Sequence, residues 1–167
     1  MKKIAIDSYY YSENDCYTVG VIFEDWKDSK PLQIISCHTS EFGAYIPGEF
    51  YKREMPGILK LLEMINLKEF DTIIVDGYLT LDNERPGLGK HVAEEISKVS
   101  SSIQVIGVAK SKFEGITAEP VLRGEAKNPI YVQGISGQVI KEMAGDYRIP
   151  DLLKILDKET KKYKKNG

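Results

Sequence analysis

Lys3-Ile4-Ala5-Ile6-Asp7 and Thr72-Ile73-Ile74-Val75-Asp76-Gly77 decide how this chain folds. Each is an apolar run without polar alternation, as in a strand buried on both faces. Each stops on an aspartate. A carboxylate at the end of a buried strand lies at the edge of the sheet, within reach of a ligand. If the two strands are neighbours, Asp7 and Asp76 meet. Like charges held that close require a cation between them, or one carboxyl must stay protonated. Hard cations such as Mg²⁺ take oxygen ligands, and ions at such sites serve phosphoryl transfer. The plainer reading is that each Asp closes a strand and opens a turn, which Asp favours.

Outward from these stretches, the first strand covers Lys3 to Tyr11. Tyr17, Val19, Val21 and Phe23 alternate within a second strand, Cys16 to Asp25. Asp25-Trp26-Lys27-Asp28-Ser29-Lys30-Pro31 is a turn by composition, and Leu32 to Thr39 makes a third strand. Short connections imply an antiparallel meander. Ile58, Leu61, Leu62 and Ile65 recur at helical spacing. Pro56 suits a first turn or a kink, so Glu54 lies just before this helix or inside a longer one beginning near Gly48. Strand four is Thr72 to Asp76, a helix follows over Gly87 to Val99, and strand five is Gln104 to Lys110. Glu119 to Arg123 and Pro129 to Gln133 form a short strand pair, and helices over Gly137 to Ala144 and Pro150 to Tyr163 complete the pattern. The expectation is a mixed α/β sheet with helices on both faces.

The chain has 167 residues, which implies one domain, 1–167, with room for a sizeable core. Its net charge of −2, from 23 basic and 25 acidic residues, excludes a generally basic nucleic-acid coat but not a local patch. Cys16 and Cys37 lack metal-ligand spacing. No signal segment or apolar stretch of membrane length is evident, so a cytoplasmic location with reduced thiols is expected. The lysine-rich tail, Lys158 to Gly167, reads as a solvated end.

The order of elements resembles the ribonuclease H-like fold. That resemblance implies that strand one and the strand after the first helix lie adjacent and parallel, with Glu54 as a third acidic ligand. Further motifs narrow it. Ala44-Tyr45-Ile46-Pro47-Gly48, Lys52-Arg53-Glu54, Val75-Asp76-Gly77, Ile106-Gly107-Val108-Ala109-Lys110-Ser111, Pro129-Ile130-Tyr131-Val132 and Tyr147-Arg148-Ile149-Pro150 run in the order seen in the endonuclease V family. Arg85-Pro86, Gly87 and His91 follow the same pattern. Similarity to that family implies a nuclease that cuts near inosine using Mg²⁺ or Mn²⁺, in DNA or RNA. It implies metal carboxylates at Asp7, Glu54 and Asp76, a lysine beside the phosphate at Lys110, and a wedge at Tyr45, Ile46 and Pro47 that holds the gap left by an extruded base. Arg53, Arg85 and Lys112, with Lys52, Lys90 and Arg148, are the expected phosphate contacts.

The chain departs from the family in several places. Where the family carries a catalytic His in the last helix, counting places Asp157, flanking the stripe of Leu152, Ile155 and Leu156. The family's helix before strand one is absent. Tyr78 to Pro86 replaces a glycine and His-Pro-Arg, and Gly134-Ile135-Ser136-Gly137-Gln138 reduces a Gly-His segment. Bulkier residues do not keep a pocket built by close backbone approach, so metal-dependent cleavage is expected to carry over better than inosine choice. Two other classes compete. One is a nucleic-acid-binding protein of the same fold without turnover. The other is an actin-like nucleotide hydrolase, which the missing glycine-rich phosphate loop after Asp76 disfavours. His91 reads as structural, and His38 has no evident role.

Overall fold

A mixed sheet carries the molecule, and its order follows from which strands are buried on both faces. The computed structural model describes residues 1–40, 51–81, 85–112 and 115–166, with the side chains of residues 51 and 163–166 outside that description. Its elements are β1 (Lys2–Ser12), β2 (Asp15–Phe23), β3 (Gln33–Thr39), α1 (Tyr51–Leu62), β4 (Phe70–Asp76), β5 (Thr80–Leu81), β6 (Arg85–Pro86), α2 (Leu88–Ser97), β7 (Gln104–Ala109), β8 (Glu119–Val121), β9 (Ile130–Gln133), α3 (Gly137–Lys141) and α4 (Asp151–Asn166). Seven strands form one sheet in the order β3-β2-β1-β4-β7-β9-β8, and β5 pairs with β6 alone.

β1 is parallel to β4, with Ile4 opposite Ile73 and Ile6 opposite Val75. β4 is parallel to β7, with Asp76 opposite Val108. These are the apolar runs of the sequence, placed at the middle of the sheet where both faces are covered. The meander β1-β2-β3 and the pair β8-β9 add antiparallel strands on either side. The ribonuclease H-like arrangement expected from the sequence is therefore present. The sequence did not reveal the β5–β6 hairpin, whose strands are too short for a periodic signal.

Alternation along β1 divides the core. Ile4 and Ile6 face the layer of α1 and α2, packed with Ile58, Leu61, Val92 and Ile96. Ala5 faces the other layer with Val19, Val21, Ile140, Leu152 and Leu156, from β2, α3 and α4. Gly57 lets α1 lie close to the sheet, since a Cβ there would stand 2.4 Å from the Thr18 hydroxyl. Glu54 falls in the first turn of α1, inside the helix and not before it, while the expected start near Gly48 lies outside the described residues. Among the described residues no helix is long and apolar enough to cross a membrane.

Candidate active site

Asp7 and Asp76 reach the same place from neighbouring parallel strands. β1 pairs with β4 as far as Ile6 and Val75, and both aspartates stand just past that last pair. Asp7 is partly buried, and its Oδ1 accepts the Ser8 backbone N–H at 2.8 Å. Burial, together with the charge of Asp76 and a hydrogen bond between the two carboxyl groups, pushes the Asp7 carboxyl up to about 8. Glu54 is drawn in from α1: burial and then the charge of Asp76 push it up to about 7, while Arg53 pulls the other way. The three carboxyl groups thus share one electrostatic environment, although they arrive from positions far apart in sequence.

Two of these groups hold protons more tightly than carboxylates in water, because burial and a neighbouring charge of the same sign outweigh the cations Lys110 and Arg53. An oxygen-only donor set of this kind fits a hard divalent cation. Among the described residues, no three His, Cys, Asp or Glu side chains stand ready to hold one ion as they lie. Asp7 and Asp76 form the paired core of the set, and Glu54 lies within reach of Asp76's charge. A cavity of about 30 Å³, lined by Asp7, Asp76, Lys110, Ile149, Leu153 and Leu156, opens beside them. It admits water or an ion, not a base.

Lys110 follows β7 and is exposed. Its charge favours ionised Asp7, and its Nζ lies 3.7 Å from Asp157 Oδ1. Lys161 Nζ lies 3.0 Å from Asp157 Oδ2, one turn further along α4. Asp157, partly exposed, is thus paired with the lysine beside the acidic pair. Arg148, expected as a phosphate contact, is engaged with the main chain. Its guanidinium donates to the Lys110 carbonyl, to Pro129 O at 2.9 Å and to Asn128 O at 3.1 Å. It holds the main chain under Lys110.

The loop after Asp76 is pinned on every side. Gln133 Oε1 accepts from Leu79 N at 2.7 Å and Thr80 N at 3.3 Å, and its Nε2 donates to Thr117 O at 2.8 Å. Tyr78 Oη donates to Ser111 O at 2.5 Å. Leu79 fills a recess lined by two glycines: a Cβ on Gly89 would stand 2.3 Å from Leu79 Cδ2, and one on Gly134 2.8 Å from its Cδ1. Sequence reading missed Gln133 and Leu79, because neither residue type signals a role without its distant partners. The only hint was Leu79 itself, where the family has glycine and polar residues.

Among the remaining expected residues, Arg53 stacks over the Tyr10 ring at 4.6 Å, beside Glu54. Arg85 is exposed on β6, and Lys52, Lys90 and Lys112 are exposed as well. Tyr45, Ile46 and Pro47 lie outside the described residues. His91 is half-buried on α2, and His38 contacts Asp15.

The model of the endonuclease V family matches residues 4–150. No curated protein matches the chain. Among solved structures, endonuclease V from Ciona intestinalis, in complex with a 24mer DNA containing an inosine followed by a ribo-adenosine, superposes with a TM-score of 0.80 at 18% identity. That match covers 99% of this chain and 86% of the other. Human ENDOV superposes at 0.74 with 16% identity, covering 99% and 84%. The endonuclease V of Bacillus subtilis superposes at 0.74 with 19% identity, covering 99% and 83%. Identities this low speak for the fold alone, but the family match spans most of the chain. The chain belongs to the endonuclease V family, a family of nucleases that act on nucleic acid.

Proposed function

We propose that this member of the endonuclease V family is a divalent-metal-dependent endonuclease, hydrolysing a phosphodiester beside inosine or another deaminated or distorted base in nucleic acid repair. The observation that carries the reading is the meeting of Asp7 and Asp76 just past the last β1–β4 pair, where a cation would relieve both charges. Asp7, Glu54 and Asp76 would hold Mg²⁺ or Mn²⁺. When bound, such an ion supplies Lewis acidity and eases deprotonation of water near neutral pH.

The chain's own groups do the rest. Lys110, whose charge reaches Asp7, would face a phosphate oxygen and offset its growing charge. Asp157 stands in for the family's His and steadies Lys110 through their ion pair. Arg148 keeps the Lys110 main chain from drifting. Arg85 and Lys112 are exposed cations suited to flanking phosphates. Tyr45, Ile46 and Pro47 are assigned the wedge on the strength of the family motif. Leu79, seated in its glycine recess, supports a looser choice of base than strict inosine recognition. Residues 1–167 are read as a single domain, since Leu152 and Leu156 of α4, beyond the family match, belong to the core around Ala5. Its two free cysteines suit a cytoplasmic setting.

A second reading, a nucleic-acid-binding protein without turnover, draws on the engagement of Asp157 by two lysines. Incubation of the pure chain with Mn²⁺ and single- and double-stranded oligonucleotides carrying inosine, uracil or a mismatch separates the two. Metal-dependent nicking that disappears in Asp7→Asn is expected. An uncut panel would leave the binding reading standing.

A further inference from the structure

β1 runs on past its pairing with β4. Its pairing with β4 ends at Ile6, but its pairing with β2 continues through Tyr9 opposite Tyr17 and Tyr10 opposite Cys16 to Ser12 opposite Asp15. The stretch Asp7 to Ser12 thus forms an arm about 20 Å long running on from the acidic pair. Its alternation is consequential. Ala5 belongs to the α4 layer, so Asp7, Tyr9 and Tyr11 share that face, whereas Tyr10 turns to Arg53 on the opposite side.

The two tyrosines on the face of Asp7 form a pair, with ring centroids 4.8 Å apart and planes inclined by 57°. Tyr11 is anchored from below, its hydroxyl donating to the Thr160 carbonyl of α4. Tyr9 is half-buried, and among the described residues its hydroxyl has no protein partner. Lys161 of α4 closes the group. Its ammonium is paired with Asp157 and lies within the fields of Tyr9 and Asp7. An aromatic ring braced by a second ring, beside an exposed ammonium and one strand step from an acidic pair, matches what a base and its phosphate require. Bases stack on aromatic rings with little regard to sequence, and lysines hold the backbone as point charges.

We propose that Tyr9, braced by Tyr11 and flanked by Lys161, is a stacking subsite for an unpaired nucleotide adjacent to the scissile phosphodiester. The subsite rests on the reading of the acidic pair as the place of cleavage. It names the substrate class: nucleic acid with at least one unpaired nucleotide on that side. A paired base is already stacked in its duplex and gains nothing from Tyr9, so the subsite favours single strands and frayed or looped junctions.

The test is metal-free binding by the full chain, in EDTA, of a fluorescein-labelled single-stranded oligonucleotide, read by anisotropy. Tyr9→Leu keeps apolar volume but removes the ring, and Tyr9→Phe keeps the ring but removes the hydroxyl. Tyr9→Leu is expected to weaken binding five- to tenfold, with Tyr9→Phe unchanged and affinity for the fully paired duplex unchanged in both. Lys161→Gln is expected to weaken binding about threefold and to lower the steepness of the salt dependence by about one. Equal single-strand affinity in Tyr9→Leu and the wild type, or an equal loss in Tyr9→Phe, would overturn the subsite. Thermal melts of each variant separate lost binding from lost folding. Cleavage is scored separately. Loss of single-strand binding in Tyr9→Leu with no metal-dependent nicking by the wild type would keep the subsite and reject the nuclease. Nicking with no effect of Tyr9→Leu would do the reverse.

Discussion

β1 carries two charges four residues apart, one at its start and one where its pairing with β4 stops, and the two are treated in opposite ways. At the start, Lys3 is 7% exposed and fully answered: it donates to Glu24 O at 3.2 Å and Met1 O at 3.3 Å, pairs with Asp71 at 3.4 Å, and lies 5.5 Å from the centre of the Trp26 ring. Four residues on, Asp7 is pressed against Asp76, a group of its own sign, and the nearby charge of Lys110, the field of Lys161 and one backbone N–H leave its carboxyl well above the usual range. A buried ion is tolerable when its neighbours complete it and costly when they do not. The Lys3 charge stabilises the fold. The Asp7 charge costs stability in the absence of a cation, a pattern typical of sites kept for chemistry.

The difference can be broken or sharpened by mutation. The largest effect is expected from Asp7→Asn. It should lower Mn²⁺-dependent nicking at least about a hundredfold, because a ligand is removed where charge must be neutralised, while raising the melting temperature of the metal-free protein at pH 8. Lys110→Met should lower kcat roughly tenfold with a smaller change in KM, since it removes one charge facing the phosphate. A change confined to KM would assign Lys110 to binding alone.

The pH dependence carries the same contrast. Asp7 and Glu54 bind their protons more tightly folded than unfolded, Asp7 at about 8 against 3.8 and Glu54 at about 7 against 4.5. Their contribution to stability is therefore full below pH 4 and is lost as pH rises through 7 to 8. Melting of the metal-free protein should fall by roughly 5 °C across that window, and Asp7→Asn should flatten much of the fall. An unchanged slope in the variant would mean that the charge at Asp7 is answered by groups other than those named.

Two smaller effects test packing. Gly89→Ala would drive a methyl into Leu79 and should cost about 1–3 kcal/mol, with much of the loss recovered by adding Leu79→Ala. Lys3→Met should cost about 1–2 kcal/mol and leave nicking unchanged. A loss of activity there would show that Lys3 and Asp7 are coupled along β1.

Much of this was legible in sequence because it depends on local pattern. The unbroken apolar runs of β1 and β4 fixed the middle of the sheet, and the aspartates that end them marked the site. The 3.6-residue spacing of α1 placed Glu54 only within a turn. The packing of Gly57 on Thr18, which no periodicity reports, shows how closely that helix lies on the sheet. Arg148 read as a phosphate contact because a basic residue in a family motif suggests one. Its acceptors, the carbonyls of Lys110, Asn128 and Pro129, come from other loops. The β1 arm was hidden for the same reason. Three consecutive tyrosines look alike until the sheet assigns Tyr9 and Tyr11 to the face of Asp7 and Tyr10 to the other.

Calorimetric titration of Mn²⁺ into the metal-free chain at neutral pH bears most directly on the account. Wild type should bind the ion with release of a proton, and Asp7→Asn combined with Asp76→Asn should show no binding heat. Equal binding by the wild type and that double variant would contradict the site where β1 and β4 part.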